Sequence, residues 1–188
     1  MRNLPFTIGE VMQTTVYIAT SVDGFIARAN GSIDWLSDGD ANKSGEDYGY
    51  QTFIDSVDAI VMGRGAYEVV LSFDSWPYAD KPVVALSSRQ VDIPEHLATT
   101  VEWMDATPRD IIRRLTERGY RHLYIDGGKT IQRFLWEGLI HRLILTRVPI
   151  LLGAGIPLFG ALPHDVRLRH LETRPFANGF VQSQYEVL

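Results

Sequence analysis

The stretches AIVMGRGAYE (residues 59–68) and LYIDGGKTIQRF (123–134) decide the fold. Each is an apolar, β-rich run that breaks into glycine and passes directly into a helix-forming segment. At such a junction the first helical amides have no partner inside the helix, and the positive end of the helix dipole stands behind them. Together these features make a cradle for phosphate. One junction alone is also how a plain tight turn looks, because glycine serves both. Two of them, with the strand PVVALSSR (82–89) ending in Ser87, Ser88 and Arg89 between, point to a ligand with several phosphates, such as a dinucleotide.

The same alternation extends both ways along the chain. Strands are expected at TVYIAT (15–20), FIAR (25–28), DAIVMG, PVVALS (82–87), TTVEWM (99–104), HLYID and HRLILTRVPIL (141–151). Helices are expected from about Glu46 to Ser56, with Asp47 in the first turn, from Ala66 to Leu71, and over TIQRFLWEG. Another starts at Thr107–Pro108, with Asp110 in its first turn and Gly119 just past its end. Near the carboxyl terminus, VRLRHLETRPF and FVQSQYEVL flank Asn178–Gly179, the pair that a two-residue hairpin with positive φ at both positions prefers. Strand–helix alternation followed by a hairpin predicts an α/β three-layer fold. Its mixed, mainly parallel sheet would have about 7–9 strands, with helices on both faces and an antiparallel hairpin at the end. Residues 1–13 are expected to be a peripheral extension and 14–188 a single domain.

The chain has 188 residues, of which 45% are hydrophobic and 22% charged, enough for one domain with its own core. A net charge of −5 argues against nucleic acid as a partner. No apolar run is long enough to span a membrane, and the opening residues lack the apolar core of a secretion signal, so the expected location is cytoplasmic. Cysteine is absent, which removes disulfides, thiolate zinc sites and cysteine nucleophiles. The five histidines show no metal-ligand spacing, and no metal is expected.

Among polar candidates, Gly63 would let backbone approach a phosphate while Arg64 forks onto it. Gly127 and Gly128 permit a strained or cis peptide against a flat ring or pyrophosphate, with Lys129 and Thr130 as donors at the helix start. Ser87, Ser88 and Arg89 would hold the 2′-phosphate that distinguishes NADP from NAD. The long polar loop after FIAR carries Asp34 and Trp35, and a loop of this length often covers a binding site.

VYIATSVDGFIARANGSIDWL (16–36), VMGRGAYE (61–68), YIDGGKTIQRFLWEGLIHRL (124–143) and VPILLGAGIPLF (148–159) together resemble the dihydrofolate-reductase-like family that includes the C-terminal reductase domain of the bacterial riboflavin-biosynthesis deaminase-reductase. The resemblance implies an NADPH-dependent reductase, usually a homodimer, acting on a small heterocyclic substrate. It places the cofactor phosphates on Gly63, Arg64, Gly127, Gly128, Lys129 and Thr130, and the 2′-phosphate near Ser87, Ser88 and Arg89. It sets Ala19, Ser21, Asp23 and Gly24 beside the nicotinamide and substrate. The hydroxyl residue usual after G-R-x is Ala66 here, so one phosphate contact is missing. The deaminase signature of H-x-E with P-C-x-x-C is absent, so only the reduction half of the riboflavin reaction is implied.

Hydride chemistry also needs a group that delivers a proton beside the accepting carbon. Asp47 is the candidate, because it precedes Gly63 by sixteen residues, a spacing similar to that of the pterin-binding carboxylate in dihydrofolate reductases. Desolvation there would raise its pKa. Capping of the helix is the competing role. Asp34 stands where those enzymes often carry proline before the tryptophan, which weighs against folate as substrate. Reduction of a riboflavin-type pyrimidine, reduction of a folate or pteridine, and nucleotide binding without catalysis remain open at this point.

Overall fold

The computed structural model describes residues 12–36 and 45–188. Ten strands and four helices follow in the order β1 (Gln13–Thr20), β2 (Phe25–Ala27), α1 (Tyr50–Ser56), β3 (Ala59–Gly63), α2 (Arg64–Leu71), β4 (Val83–Leu86), β5 (Val101–Met104), α3 (Pro108–Glu117), β6 (His122–Asp126), α4 (Gly128–Trp136), β7 (Arg142–Arg147), β8 (Ile156–Pro157), β9 (Leu168–Pro175) and β10 (Val181–Val187). Eight strands form one sheet in the order β5-β4-β3-β6-β1-β7-β10-β9. The six from β5 to β7 are parallel, and the β10 and β9 pair closes the sheet antiparallel.

β3 and β6 are central because both their faces are apolar. Ile60, Val61 and Met62 are completely buried, as expected of an interior parallel strand covered on both sides. On one face Val61, Leu123 and Ile125 pack with Ile111 and Leu115 of α3 and with Ile131 and Phe134 of α4. On the other, Ile60, Met62 and Tyr124 pack with Phe53 and Ile54 of α1 and Tyr67 and Val70 of α2. Parallel strands followed by helices bring all the β-to-α junctions to one edge of the sheet, the edge where α/β folds bind ligands.

Several local expectations are corrected. The predicted N-terminal extension lies outside the described residues up to 11, but Met12 is buried in the core and Gln13 opens β1. The first helix starts at Tyr50 instead of Glu46, because Gly49 sits at φ 82, a left-handed conformation that cannot continue a helix. Helices α2 and α4 each start two residues earlier than expected, at Arg64 and Gly128, so glycine there caps or opens the helix with no loop between. β2 leaves the main sheet and pairs with β8, a strand too short to show in the sequence. The hairpin between β9 and β10 turns through three residues, Ala177 to Gly179. Only Gly179 has positive φ, and Phe176 donates its amide to Phe180 O at 2.8 Å.

Candidate functional site

The two glycine junctions meet because β3 and β6 are adjacent, with Met62 level with Asp126. Gly63 therefore lies against the start of α4: a Cβ built on it would fall 2.6 Å from Thr130 Oγ1. Gly127 takes φ 86, and a Cβ there would fall 3.1 Å from Ala66 Cβ and 3.4 Å from Gly63 N. The absence of a side chain at Gly127 is thus what lets it lie this close to Ala66 and Gly63. The peptides are trans throughout the described residues, and Gly127 turns the chain at φ 86 and ψ 132, a conformation open chiefly to glycine. A Cβ on Gly65 would meet nothing within 4 Å, so this glycine faces open space.

The helix starts differ in a way that matters. At α3, Thr107 caps Asp110 N with its hydroxyl at 3.2 Å, the usual solution for orphan amides. At α2 and α4 the N-cap residues are Gly63 and Gly127, so neither helix has a side-chain cap. Two uncapped N-termini on neighbouring strands leave several N–H donors and two positive dipole ends at the same edge of the sheet. These residues fit a pyrophosphate. Lys129 is exposed beside them, and Arg64 is half-exposed, 3.6 Å from Glu68. Gly128 faces the other way: a Cβ there would approach Ile26 Cδ1 at 3.0 Å and Pro157 O at 3.3 Å. Its smallness lets the β2–β8 ribbon seat on α4. One strand over, Ser87, Ser88 and Arg89 follow β4 at the same edge; Ser87 Oγ accepts Arg89 N at 3.1 Å, and Trp103 Nε1 donates to Ser87 O at 2.9 Å.

The residues expected beside the substrate hold loops in place. Ser21 is buried and binds Phe25 N at 3.0 Å, closing the turn that Gly24 makes at φ 85. Asp23 accepts the amides of Leu152 at 3.2 Å and Gly153 at 2.7 Å, and Ser21 with these amides holds its carboxyl below the usual range. Asp34 is bound by Arg28 Nε at 2.7 Å and by Ser32, which bring its pKa down to about 2. Trp35 is 1% exposed and forms a separate small cluster with Val148 and Phe180, against which Ala19 packs.

Asp47 differs from the expectation in position and titration. It lies three residues before α1, is exposed, and accepts Gly49 N at 2.9 Å and Gln51 N at 3.1 Å. Those amides lower its pKa, where desolvation was expected to raise it. The carboxyl that burial does raise is Asp126, to about 6. It ends β6 directly before Gly127, two residues after Tyr124 and so on the face where α1 and α2 pack. A carboxylate at a strand's end against Gly-Gly was visible in LYIDGGKT, but nothing in that pattern tells a buried carboxyl from an exposed one.

Tyrosines surround that face. Tyr17 stacks on Phe53 at 4.9 Å and meets Tyr50 edge-on at 5.5 Å, and Tyr124 donates its hydroxyl to Tyr17 O at 2.9 Å. Gln182 Nε2 donates to Tyr17 Oη, Tyr48 O and Thr146 Oγ1, tying β1, β7 and β10 to the approach to α1. His122 and His141 are lowered by burial, and each bonds a β1 threonine: His122 Nε2 lies 2.8 Å from Thr15 Oγ1, and His141 Nδ1 accepts Thr14 N. No group of metal-ligating side chains occurs among the described residues.

An eight-stranded, mostly parallel sheet with helices on both faces and paired glycine junctions at one edge defines the class: a dihydrofolate-reductase-like fold of the reductase type. Within it, residues 13–182 match the family described as the RibD C-terminal domain, and the chain belongs to that family. The uncharacterised protein YwjB of Bacillus subtilis strain 168 is 34% identical over 92% of this chain and 97% of its own length. A solved protein of Shewanella sp. PV-4, provisionally assigned to riboflavin biosynthesis, is 41% identical with a TM-score of 0.87, covering 94% of this chain and 99% of that one. Dihydrofolate reductase from Enterococcus faecalis, solved with NADP(H), shares the fold alone, at 14% identity and a TM-score of 0.66 over 95% of this chain and 97% of that one.

Proposed function

We propose that the chain is an NADPH-dependent reductase of a small heterocyclic substrate, of the kind reduced in riboflavin biosynthesis. The observation that carries this reading is the pair of uncapped helix starts brought against one another at Gly63 and Gly127, with Asp126 ending β6 directly before Gly127. The pyrophosphate would lie on the first amides of α2 and α4, with Arg64, Lys129 and Thr130 as side-chain partners. Ser87, Ser88 and Arg89 would take the 2′-phosphate. When bound, the coenzyme supplies a hydride from its nicotinamide ring.

The chain's own residues do the rest. Ala19, with its small side chain near the end of β1, leaves room for a flat ring above the sheet. Trp35 and the Asp23 clasp hold the neighbouring loops and keep water from the edge. Asp126 retains a proton at mildly acid pH because partial burial desolvates it, and can donate it to a ring nitrogen or oxygen next to the carbon being reduced. Asp47 acts by fixing the start of α1, and so the position of Tyr50.

The homodimer implied by the family is favoured by β9. It is the outer edge of the sheet, all eight of its residues are exposed, and Leu168 and Leu171 are among them. No helix among the described residues is long and apolar enough to cross a membrane, and a cytoplasmic location is part of this proposal.

The test is to follow the loss of NADPH absorbance with aminouracil and pteridine substrates. Tight NADPH binding without turnover of any of them would turn the reading into that of a nucleotide-binding protein without catalysis.

A further inference from the structure

Two tryptophans are exposed among the described residues, and they stand at opposite edges of the sheet. Trp136, 53% exposed, ends α4 at the edge away from the glycine junctions. Trp103, 36% exposed, is the last residue but one of β5, so it stands at the same edge as those junctions. Its indole is fixed, because Nε1 donates to Ser87 O at 2.9 Å. The ring belongs to none of the three apolar clusters, and among the described residues no other ring stacks on it and no cation sits over it. An exposed aromatic plane held in one orientation is what a flat base stacks on.

The same bond braces the turn that follows β4. Ser87 N donates to Met104 O at 3.0 Å while Ser87 O accepts the indole, so both backbone groups of this residue are tied to β5. The side chains of Ser88 and Arg89 are exposed and bond to no other group among the described residues. Register sets the distance to the junctions. Gly63 lies level with Leu86 of β4, and Leu86 with Met104 of β5. Two strand spacings are roughly 10 Å, the span that a ribose bridges between a pyrophosphate and its base. Val101 packs in the cluster under α1 and α2, and alternation along β5 puts Trp103 on that face, where α2 starts at Arg64.

We infer that Trp103 is the platform on which the adenine of the coenzyme stacks, and that through Ser87 it holds the turn that reads the 2′-phosphate, so that base and phosphate are recognised as one unit. The inference rests on the reductase reading above. Helix amides at the glycine junctions grip any pyrophosphate, whereas this indole and its turn select a purine nucleotide that carries a 2′-phosphate.

The test uses adenosine 2′,5′-bisphosphate, which carries the base and the 2′-phosphate without the nicotinamide half, beside 5′-AMP. In proton NMR the adenine H2 and H8 signals of the bisphosphate should move upfield on binding, through the ring current of the indole, and Trp103→Leu should abolish that shift. By calorimetry the same variant should bind the bisphosphate about tenfold or more weakly. Trp103→Phe keeps a ring but loses the donor to Ser87 O. It should retain the upfield shift and hold 5′-AMP within about twofold of the parent, while the bisphosphate weakens about fivefold. No upfield shift in a parent that binds the bisphosphate, unchanged affinity in Trp103→Leu, or equal weakening of both nucleotides in Trp103→Phe would each overturn the inference. Failure of the parent to bind NADP⁺ would instead sink the reductase reading beneath it.

Discussion

Gly63 and Thr130 lie on different helix-opening turns, yet a methyl group on the glycine would sit 2.6 Å from the threonine hydroxyl. Gly63 is therefore required by a close approach, since its own φ of −72 is open to any residue. Gly63→Ala should destabilise the fold by about 1–3 kcal/mol and weaken NADPH binding by splaying the junctions. Thr130→Ala in the same chain should recover much of that stability, because it removes the obstructing oxygen. A double-mutant cycle in denaturant measures the coupling. Additive effects would mean the two residues do not meet.

Asp126 makes stability fall as pH rises. Its pKa of about 6 in the folded protein lies above the ordinary 3.8, so between those values the native state holds more protons than the unfolded state. Across that window the carboxyl costs about 3 kcal/mol, an upper figure reached when it is fully ionised. Asp126→Asn should flatten this part of the pH–stability curve. In the same variant turnover should drop at least about tenfold, and the fall in rate as pH rises through about 6 should disappear from the profile. A full rate with an unchanged profile would leave the proton to another donor.

Asp47→Asn probes the opposite sign. Because two amides lower its pKa, its contribution to stability is present above the ordinary carboxyl pKa and fades as pH drops through the lowered value. The variant should melt slightly lower at pH 7 and match the parent in strong acid. NADPH affinity should be unchanged, and turnover should change only as far as Tyr50 shifts. A collapse of turnover with melting temperature preserved would restore a direct chemical role.

Arg89→Ala should reduce affinity for NADPH by about tenfold or more while sparing NADH, as expected on loss of one charged partner of the 2′-phosphate. Parallel titrations of the two coenzymes decide it. Equal losses would make Arg89 a residue of the loop's structure alone.

The layered sheet was readable from the chain because β3 and β6 are buried on both faces and stop at glycine, two signals that agree. The early starts of α2 and α4 were not, since Arg64-Gly65 and Gly128-Lys129 read locally as loop and take helical form only where the adjacent junction holds them. Asp23, Asp34 and Asp47 show the limit at the site. Polarity and position recommended all three, but whether a carboxylate faces a ligand or spends its lone pairs on Leu152, Arg28 or Gln51 is a matter of tertiary contact. Asp126 was hidden for the complementary reason, since its burial comes from tyrosines that the chain supplies from positions 50 to 124.

The small apolar knot of Trp35, Val148 and Phe180 stands apart from both main cores and is built from segments that border the ligand edge. Such a satellite can melt and re-form on its own while the eight strands stay intact. The rim would then work as a latch whose strength is set by an indole, and entry to the edge could be retuned by substitutions there without touching the groups that react.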